Sequence, residues 1–228
     1  MKALLKTICT PYAVLYRPRD YFSGTESDDL LRNTLRGVGA LLVLGTLLVF
    51  GAMVVGAAGF ENDEAALEVL EKQFGVAPAD IPYEYKNGVP YFTLLFGIYW
   101  LVVIALIGAA RFVLIRIMGE ASRSFRDALV ITAHSVVPMV IVAVAIGVLN
   151  NVAPIHLAPV GTPEANLAFL RVGLVILFVF GGLIYEITIA TKGLQVLYHQ
   201  NIGRAMLTAV LPWTATCVLG TFGVFVGG

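Results

Sequence analysis

Three ionisable residues lie inside long apolar stretches of this chain: Arg111, His134 and Glu186. A charged side chain at the centre of a bilayer costs about 3 kcal/mol or more, so such residues are candidates for function. Counted from the ends of their apolar stretches, all three lie about two helical turns in from the same side. Two interpretations are open. One is a polar cavity that conducts protons or a solute, and the other is an Arg111–Glu186 ion pair with a hydrogen-bonded His134 that fixes helix packing.

Two prolines interrupt apolar stretches, each about ten residues from its start: Pro138 and Pro212. Proline removes one backbone hydrogen bond and can kink a helix, which membrane helices tolerate when neighbours satisfy the freed carbonyl. Both residues are therefore predicted helix kinks at comparable depth, serving as a gate or as a determinant of shape.

Signatures of catalysis and of metal binding are missing from the sequence. It contains no HExxH, GxSxG, P-loop or GxGxxG motif, so we predict that the protein is not an enzyme. Cys9 and Cys217 are too far apart for a CxxC site, and His134, Glu186 and His199 match no ligand spacing. No cofactor or metal is expected. The formal net charge of zero lacks the basic excess of nucleic-acid binders.

The elements that must position these residues are membrane helices. Hydrophobic residues make up 58% of the chain and charged residues 13%, whereas soluble domains average roughly 45–50% and about 25%. A helix needs about 20 apolar residues to cross the hydrocarbon core. Five stretches qualify, and they predict a single all-α domain over residues 1–228 with five transmembrane helices: Gly37–Gly59, Tyr91–Met118, Ala128–Val148, Leu167–Thr191 and Ala205–Gly227.

The distribution of basic residues predicts the orientation in the membrane. Of the 15 Lys and Arg residues, only Lys72, Lys86 and Arg171 fall on the side that holds the first and third connections. Basic flanks resist translocation, so the N-terminus is predicted in the cytoplasm and the C-terminus outside, in a prokaryotic plasma membrane.

Two segments outside the spans have patterns of their own. In residues 1–36, Leu4, Leu5 and Ile8 interleave with Lys2 and Lys6, which favours an interfacial helix over a disordered lead-in. The external connection at 60–90 predicts a short amphipathic helix ending near Gly75, followed by a loop whose turns are marked by Pro78, Pro82, Gly88 and Pro90.

Several short motifs together resemble the Yip1-domain family of membrane proteins. The segment with Arg17, Pro18, Arg19 and Phe22 resembles the lead-in of prokaryotic members, and Ser124–Asp127 resembles the segment before their third span. The segment from Ala133 to Pro138, and the pairs Arg204-Ala205 and Leu211-Pro212, match further elements of the pattern. His134 stands where the family usually has tyrosine. The resemblance implies a five-span fold. Rab GTPase binding is not implied, because the D-L-Y-G-P element of the eukaryotic trafficking members is absent.

These observations favour a non-enzymatic multi-pass protein that organises or scaffolds membrane components or lipid. The expected partners are the lipid bilayer and a second copy of the chain or other membrane proteins, without nucleic acid. The alternative is a small transporter or channel that uses the level of Arg111, His134 and Glu186.

Overall fold

The structure, a computed structural model, describes residues 10–24, 27–60, 81–118, 124–152 and 163–226, and these residues form helices without a β-strand. A 3₁₀ helix at Thr10–Leu15 precedes two short helices, and a π-helical segment at Thr34–Val38 leads into the first long one. The α-helices are α1 (Pro18–Gly24), α2 (Ser27–Asn33), α3 (Gly39–Phe60), α4 (Ile81–Ile117), α5 (Phe125–Ser135), α6 (Val137–Val152), α7 (Pro163–Leu197) and α8 (Ile202–Val226).

Three helical runs are long and apolar enough to cross a membrane: Asp29–Gly56, Gly88–Ile117 and Ala165–Leu197. A fourth is obtained if α5 and α6 form one bent span. The all-helical membrane fold is thus confirmed with three to four candidate spans. The fifth predicted stretch forms helix α8, and its role as a span remains a prediction, as does the orientation of the termini.

A sharp bend separates α5 from α6. The two helices meet at an angle of 40°, and the break falls at Val136, two residues before Pro138. Proline cannot donate to the carbonyl four residues earlier, that of His134, so the regular helical hydrogen bonding cannot continue across this point. Pro212 lies inside helix α8, and the kink predicted there stays a prediction.

Helix α4 begins earlier than the sequence predicts. Residues 81–90, expected as a loop with turns, form the first turns of α4. Pro82 is the second residue of this helix, where the missing N–H has no intrahelical partner in any case, and Pro90 is accommodated inside it. The predicted amphipathic helix near 62–75 and the predicted interfacial contacts of residues 1–9 lie outside the described residues.

The chain divides into two compact units. The first comprises Met1–Leu41, Trp100–Met139 and Gly182–Gly228, and contains the apolar core around Phe22, Ile131 and Leu194. The second comprises Leu42–Tyr99 and Val140–Gly181. All three ionisable candidates belong to the first unit.

Glycines bring α3 and α6 together in the second unit. A β-carbon added at Gly56 would lie 2.9 Å from the carbonyl oxygen of Asn151, and one at Gly45 would lie 2.7 Å from a methyl group of Val144. Small residues permit such close approach between membrane helices, where dispersion contacts contribute much of the packing energy.

Candidate functional site

Glu186 lies on the buried face of helix α7, in the interior of the first unit. The side chains of Glu186, Ile189, Ala190 and Leu194 are fully buried, and their spacing of three, one and four residues places them on one face. Tyr185 and Thr188, which flank Glu186 in sequence, lie on the exposed side. Of these three polar residues, Glu186 therefore points inward because of its position on the helix.

Arg111 of α4 meets Glu186 as a direct ion pair. The Nη2 atom donates to Oε1 of Glu186 at 2.6 Å, and both side chains have no exposed surface. A charge-assisted hydrogen bond of this length is among the stronger contacts available inside a protein. The two charges neutralise each other where neither has access to water.

Helix α5 supplies two hydroxyl groups to the same guanidinium. The Nη1 atom of Arg111 donates to Oγ of Ser135 at 2.9 Å and to Oγ1 of Thr132 at 3.2 Å. Ser135 in turn donates to Oε1 of Glu186 at 2.7 Å. Ser135 thus bridges the two charged groups, accepting from the arginine and donating to the carboxylate.

The start of α5 is held by Ser124 and Asp127 and by Tyr198. The backbone N–H and the hydroxyl of Ser124 donate to Oδ2 of Asp127 at 3.4 and 3.2 Å. An acidic residue in the first turn also complements the positive end of the helix dipole. Tyr198, just after α7, donates its phenolic hydrogen to the carbonyl oxygen of Ser124 at 2.9 Å. The Ser124–Asp127 segment therefore anchors the helix that carries Thr132 and Ser135.

Helix α8 completes the cluster. Trp213 donates its indole N–H to Oε2 of Glu186 at 2.8 Å, and the carbonyl oxygen of Ala209 accepts from Nη2 of Arg111 at 3.3 Å. Both carboxylate oxygens of Glu186 are thus hydrogen-bonded. Of the guanidinium nitrogens, only Nε of Arg111 is without a partner among the described residues. We call Arg111, Thr132, Ser135, Glu186 and Trp213 the charge cluster.

His134 belongs to a separate polar contact. Its Nδ1 atom lies 3.0 Å from the carbonyl oxygen of Val130, which can only accept, so Nδ1 carries a hydrogen. In the neutral ring Nε2 is then the acceptor, and the hydroxyl of Tyr21 donates to it at 2.8 Å. Thr34 approaches Nδ1 at 3.3 Å. Consecutive helical residues point about 100° apart, which explains why His134 and Ser135 serve different partners.

The lead-in segment supplies the aromatic partners of His134. The Tyr21 and Phe22 rings have centroids 5.1 and 6.1 Å from that of His134, and both side chains are buried. A β-carbon at Gly193 would lie 3.0 Å from the Phe22 ring, so glycine allows α7 to approach α1 closely. Burial raises the pKa of Tyr21 to about 12, which keeps the phenol protonated as a donor.

The family of the chain follows from its whole-length pattern. The family model for the Yip1 domain matches residues 12–224. This chain belongs to the Yip1 family. The match includes α1, the charge cluster and most of α8, so the motifs that resemble this family lie within it. No curated protein and no solved structure matched the chain.

In this Yip1-family chain the predicted polar level separates into two groups. Arg111 and Glu186 meet, whereas His134 pairs with Tyr21. Of the predicted lead-in residues, Arg17 and Arg19 are exposed, Pro18 is partly buried and Phe22 packs inward. Sequence reasoning did not identify Tyr21 or Trp213. An available signal for Trp213 was its place next to Pro212, at the depth of the other polar groups.

The charge cluster of this Yip1-family chain lies in the interior and links four helices. The hydroxyl of Ser135 already donates to Glu186, and Ser135 has no exposed surface. Within the described ranges, no three His, Cys, Asp or Glu side chains come together as a metal-binding group. What the geometry provides is a neutral set of hydrogen bonds that connects α4, α5, α7 and α8.

Proposed function

We propose that this protein is a non-enzymatic, multi-pass Yip1-family membrane protein that organises membrane components or lipid, with the charge cluster as its internal clamp. One observation carries the proposal: Arg111 and Glu186 are fully buried and satisfied by each other and by neighbouring hydrogen bonds. Removing one partner of a buried pair is strongly destabilising, so such a pair favours one arrangement of the helices that it connects.

The membrane arrangement that we propose has five spans with a cytoplasmic N-terminus. The three to four candidate spans support it in part, and α8, with 25 residues, is long enough to be the fifth. The twelve-to-three division of basic residues favours the cytoplasmic N-terminus in a prokaryotic plasma membrane.

An organising role also fits the outer surface of α7. Over the most apolar window of Ala165–Leu197, only 6% of the residues are buried within the chain. Phe178 and Phe180 are each about 60% exposed, so this helix presents large apolar side chains outward. In a bilayer, such a surface contacts lipid or a second copy of the chain.

The competing function is a transporter or channel whose path runs past Arg111, His134 and Glu186. A path requires groups that exchange protons or solute with water. The full burial of all three side chains and the division into two separate contacts argue against a continuous path.

Two measurements on the full-length protein test the proposal. Native mass spectrometry of the protein extracted with its own lipids should show a defined oligomer or retained membrane partners. Vesicles containing the purified protein and a trapped pH dye should leak protons no faster than protein-free vesicles. Proton or solute flux that Glu186→Gln abolishes, with folding unchanged, would replace this proposal with transport.

A further inference from the structure

A second polar site lies at the end of α7, outside the charge cluster. A pocket of about 490 Å³ is formed by α1, the last turns of α7 and the turn that follows, with these lining residues: Arg19, Ser23, Lys192, Gln195, Val196, His199 and Gln200. All belong to the first unit. The volume falls within the range of roughly 300–1,000 Å³ that small-molecule sites occupy.

The turn after α7 places Gln200 at the wall of this pocket. His199 has φ = 54°, in the left-handed region that non-glycine residues seldom adopt, and the chain then turns Gln200 inward. Gln200 is only 4% exposed, and neither its amide nitrogen nor its amide oxygen has a hydrogen-bond partner among the described residues. An unsatisfied buried polar group costs about 1–3 kcal/mol, so a ligand that hydrogen-bonds to this amide would remove an unfavourable contribution.

The other lining groups determine which ligand would fit. Arg19 and Lys192 are cationic, His199 is a further nitrogen donor, and Ser23 contributes a hydroxyl. Lys192 uses one of its three hydrogens toward Oε1 of Gln195 at 3.4 Å, which leaves two for a ligand. The lining contains no acidic side chain. The donors therefore exceed the acceptors, and the charge of the site is positive.

We propose that this pocket binds a phosphate ester, held by Arg19 and Lys192 with the buried amide of Gln200 donating to a phosphate oxygen. Phosphate offers several strong acceptor oxygens to donors on different elements, and arginine and lysine are its usual cationic partners. The same group occurs in anionic phospholipid headgroups and in soluble phosphate esters. The inference goes beyond the organising role and does not depend on the charge cluster.

The test uses the full-length protein in detergent with three probes: dioleoyl phosphatidylglycerol, glycerol 3-phosphate and inorganic phosphate. Native mass spectrometry and ligand-induced shifts in melting temperature measure binding. We expect Gln200→Met and Arg19→Met each to weaken binding at least tenfold. Gln200→Met should leave the ligand-free melting temperature equal or higher, because it removes an unsatisfied amide. Arg17→Met is the matched control, since this exposed arginine does not line the pocket.

The outcomes separate the sources of phosphate and can overturn the inference. Binding of phosphatidylglycerol alone identifies a lipid headgroup, and binding of glycerol 3-phosphate or inorganic phosphate identifies a soluble ligand. The proposal is wrong if no probe binds saturably. It is also wrong if Arg17→Met weakens binding as much as Arg19→Met, because general surface charge then explains the effect. If Gln200→Met fails to fold, the comparison of Arg19→Met with Arg17→Met still tests whether the pocket binds phosphate.

Discussion

Replacing Glu186 with glutamine tests whether the charge cluster is a clamp. The change preserves side-chain size, but it removes the charge that neutralises Arg111. Oε1 of Glu186 accepts from Arg111 and Ser135 at 2.6 and 2.7 Å, and Oε2 accepts from Trp213 at 2.8 Å. An amide nitrogen cannot accept, so in either orientation of the glutamine one side places a donor against a donor.

The expected loss follows from burial. Both charged side chains have no exposed surface, and breaking such a pair costs about 3–5 kcal/mol because one charge remains buried and unpaired. At 1.36 kcal/mol per factor of ten, the folding equilibrium should fall by roughly two to four orders of magnitude. The double variant Arg111→Met with Glu186→Gln should lose less than the sum of the single variants. With the guanidinium gone, the amide can donate to the hydroxyl of Ser135 while accepting from Trp213.

The assay is equilibrium unfolding of the full-length protein in mixed micelles, followed by far-ultraviolet circular dichroism. Tryptophan fluorescence is unsuitable because Trp213 contacts the mutated side chain. Thr188→Val is the matched control on the same helix. This threonine is exposed and bonds only its own helix, to the carbonyl oxygen of Ile184, so its replacement should change stability by less than about 0.5 kcal/mol.

Two results would refute the reasoning. If Glu186→Gln is no less stable than Thr188→Val, the ion pair does not hold the helices. If the losses of Arg111→Met and Glu186→Gln add fully in the double variant, the two groups act independently. The coupling that defines a clamp would then be absent.

Three further predictions concern the contacts around α1. Tyr21→Phe removes the donor to His134 and should cost about 1–3 kcal/mol in the same unfolding assay; no loss would contradict the hydrogen bond. Gly193→Ala should cost about 1–3 kcal/mol by crowding Phe22, whereas Gly173→Ala, with open space around it, should have little effect; equal losses would contradict the close approach. Because the pKa of Tyr21 rises from 10.0 to about 12 on folding, its contribution to stability should persist below pH 10 and decline as the pH rises to about 12, unlike in Tyr21→Phe.

The helical membrane class could be predicted because hydropathy reports burial in lipid directly. Runs of about 20 uncharged residues have few structural solutions, and the described helices follow from them. The start of α4 could not be placed in this way. Prolines at 82 and 90 indicate a loop by local propensity. However, Pro82 in the first turn costs the helix no hydrogen bond, and Pro90 is accommodated inside the helix.

Counting helical turns from the ends of the apolar stretches predicts that Arg111 and Glu186 lie at the same depth in the membrane. In the structure they form an ion pair. The same counting assigned His134 to this group, because it gives the depth of a residue but not the direction in which its side chain points around the helix axis. Tyr21 was missed for a related reason. It lies in a polar segment whose sequence signals, an interfacial pattern and a family resemblance, do not indicate a partner. Its inward contact with His134 joins residues 113 positions apart.

The positions of the cluster residues along the chain set the order in which they are synthesised. Glu186 follows Arg111 by 75 residues, which at about 5–20 residues per second corresponds to roughly 4–15 s of translation. Thr132 and Ser135 follow by only 21 and 24 residues, so hydroxyl partners emerge long before the counter-charge. During that interval the newly inserted guanidinium has the hydroxyls of α5 as its earliest partners within the cluster. Helix α5 can therefore supply hydrogen-bond acceptors to Arg111 until α7 has been synthesised and inserted.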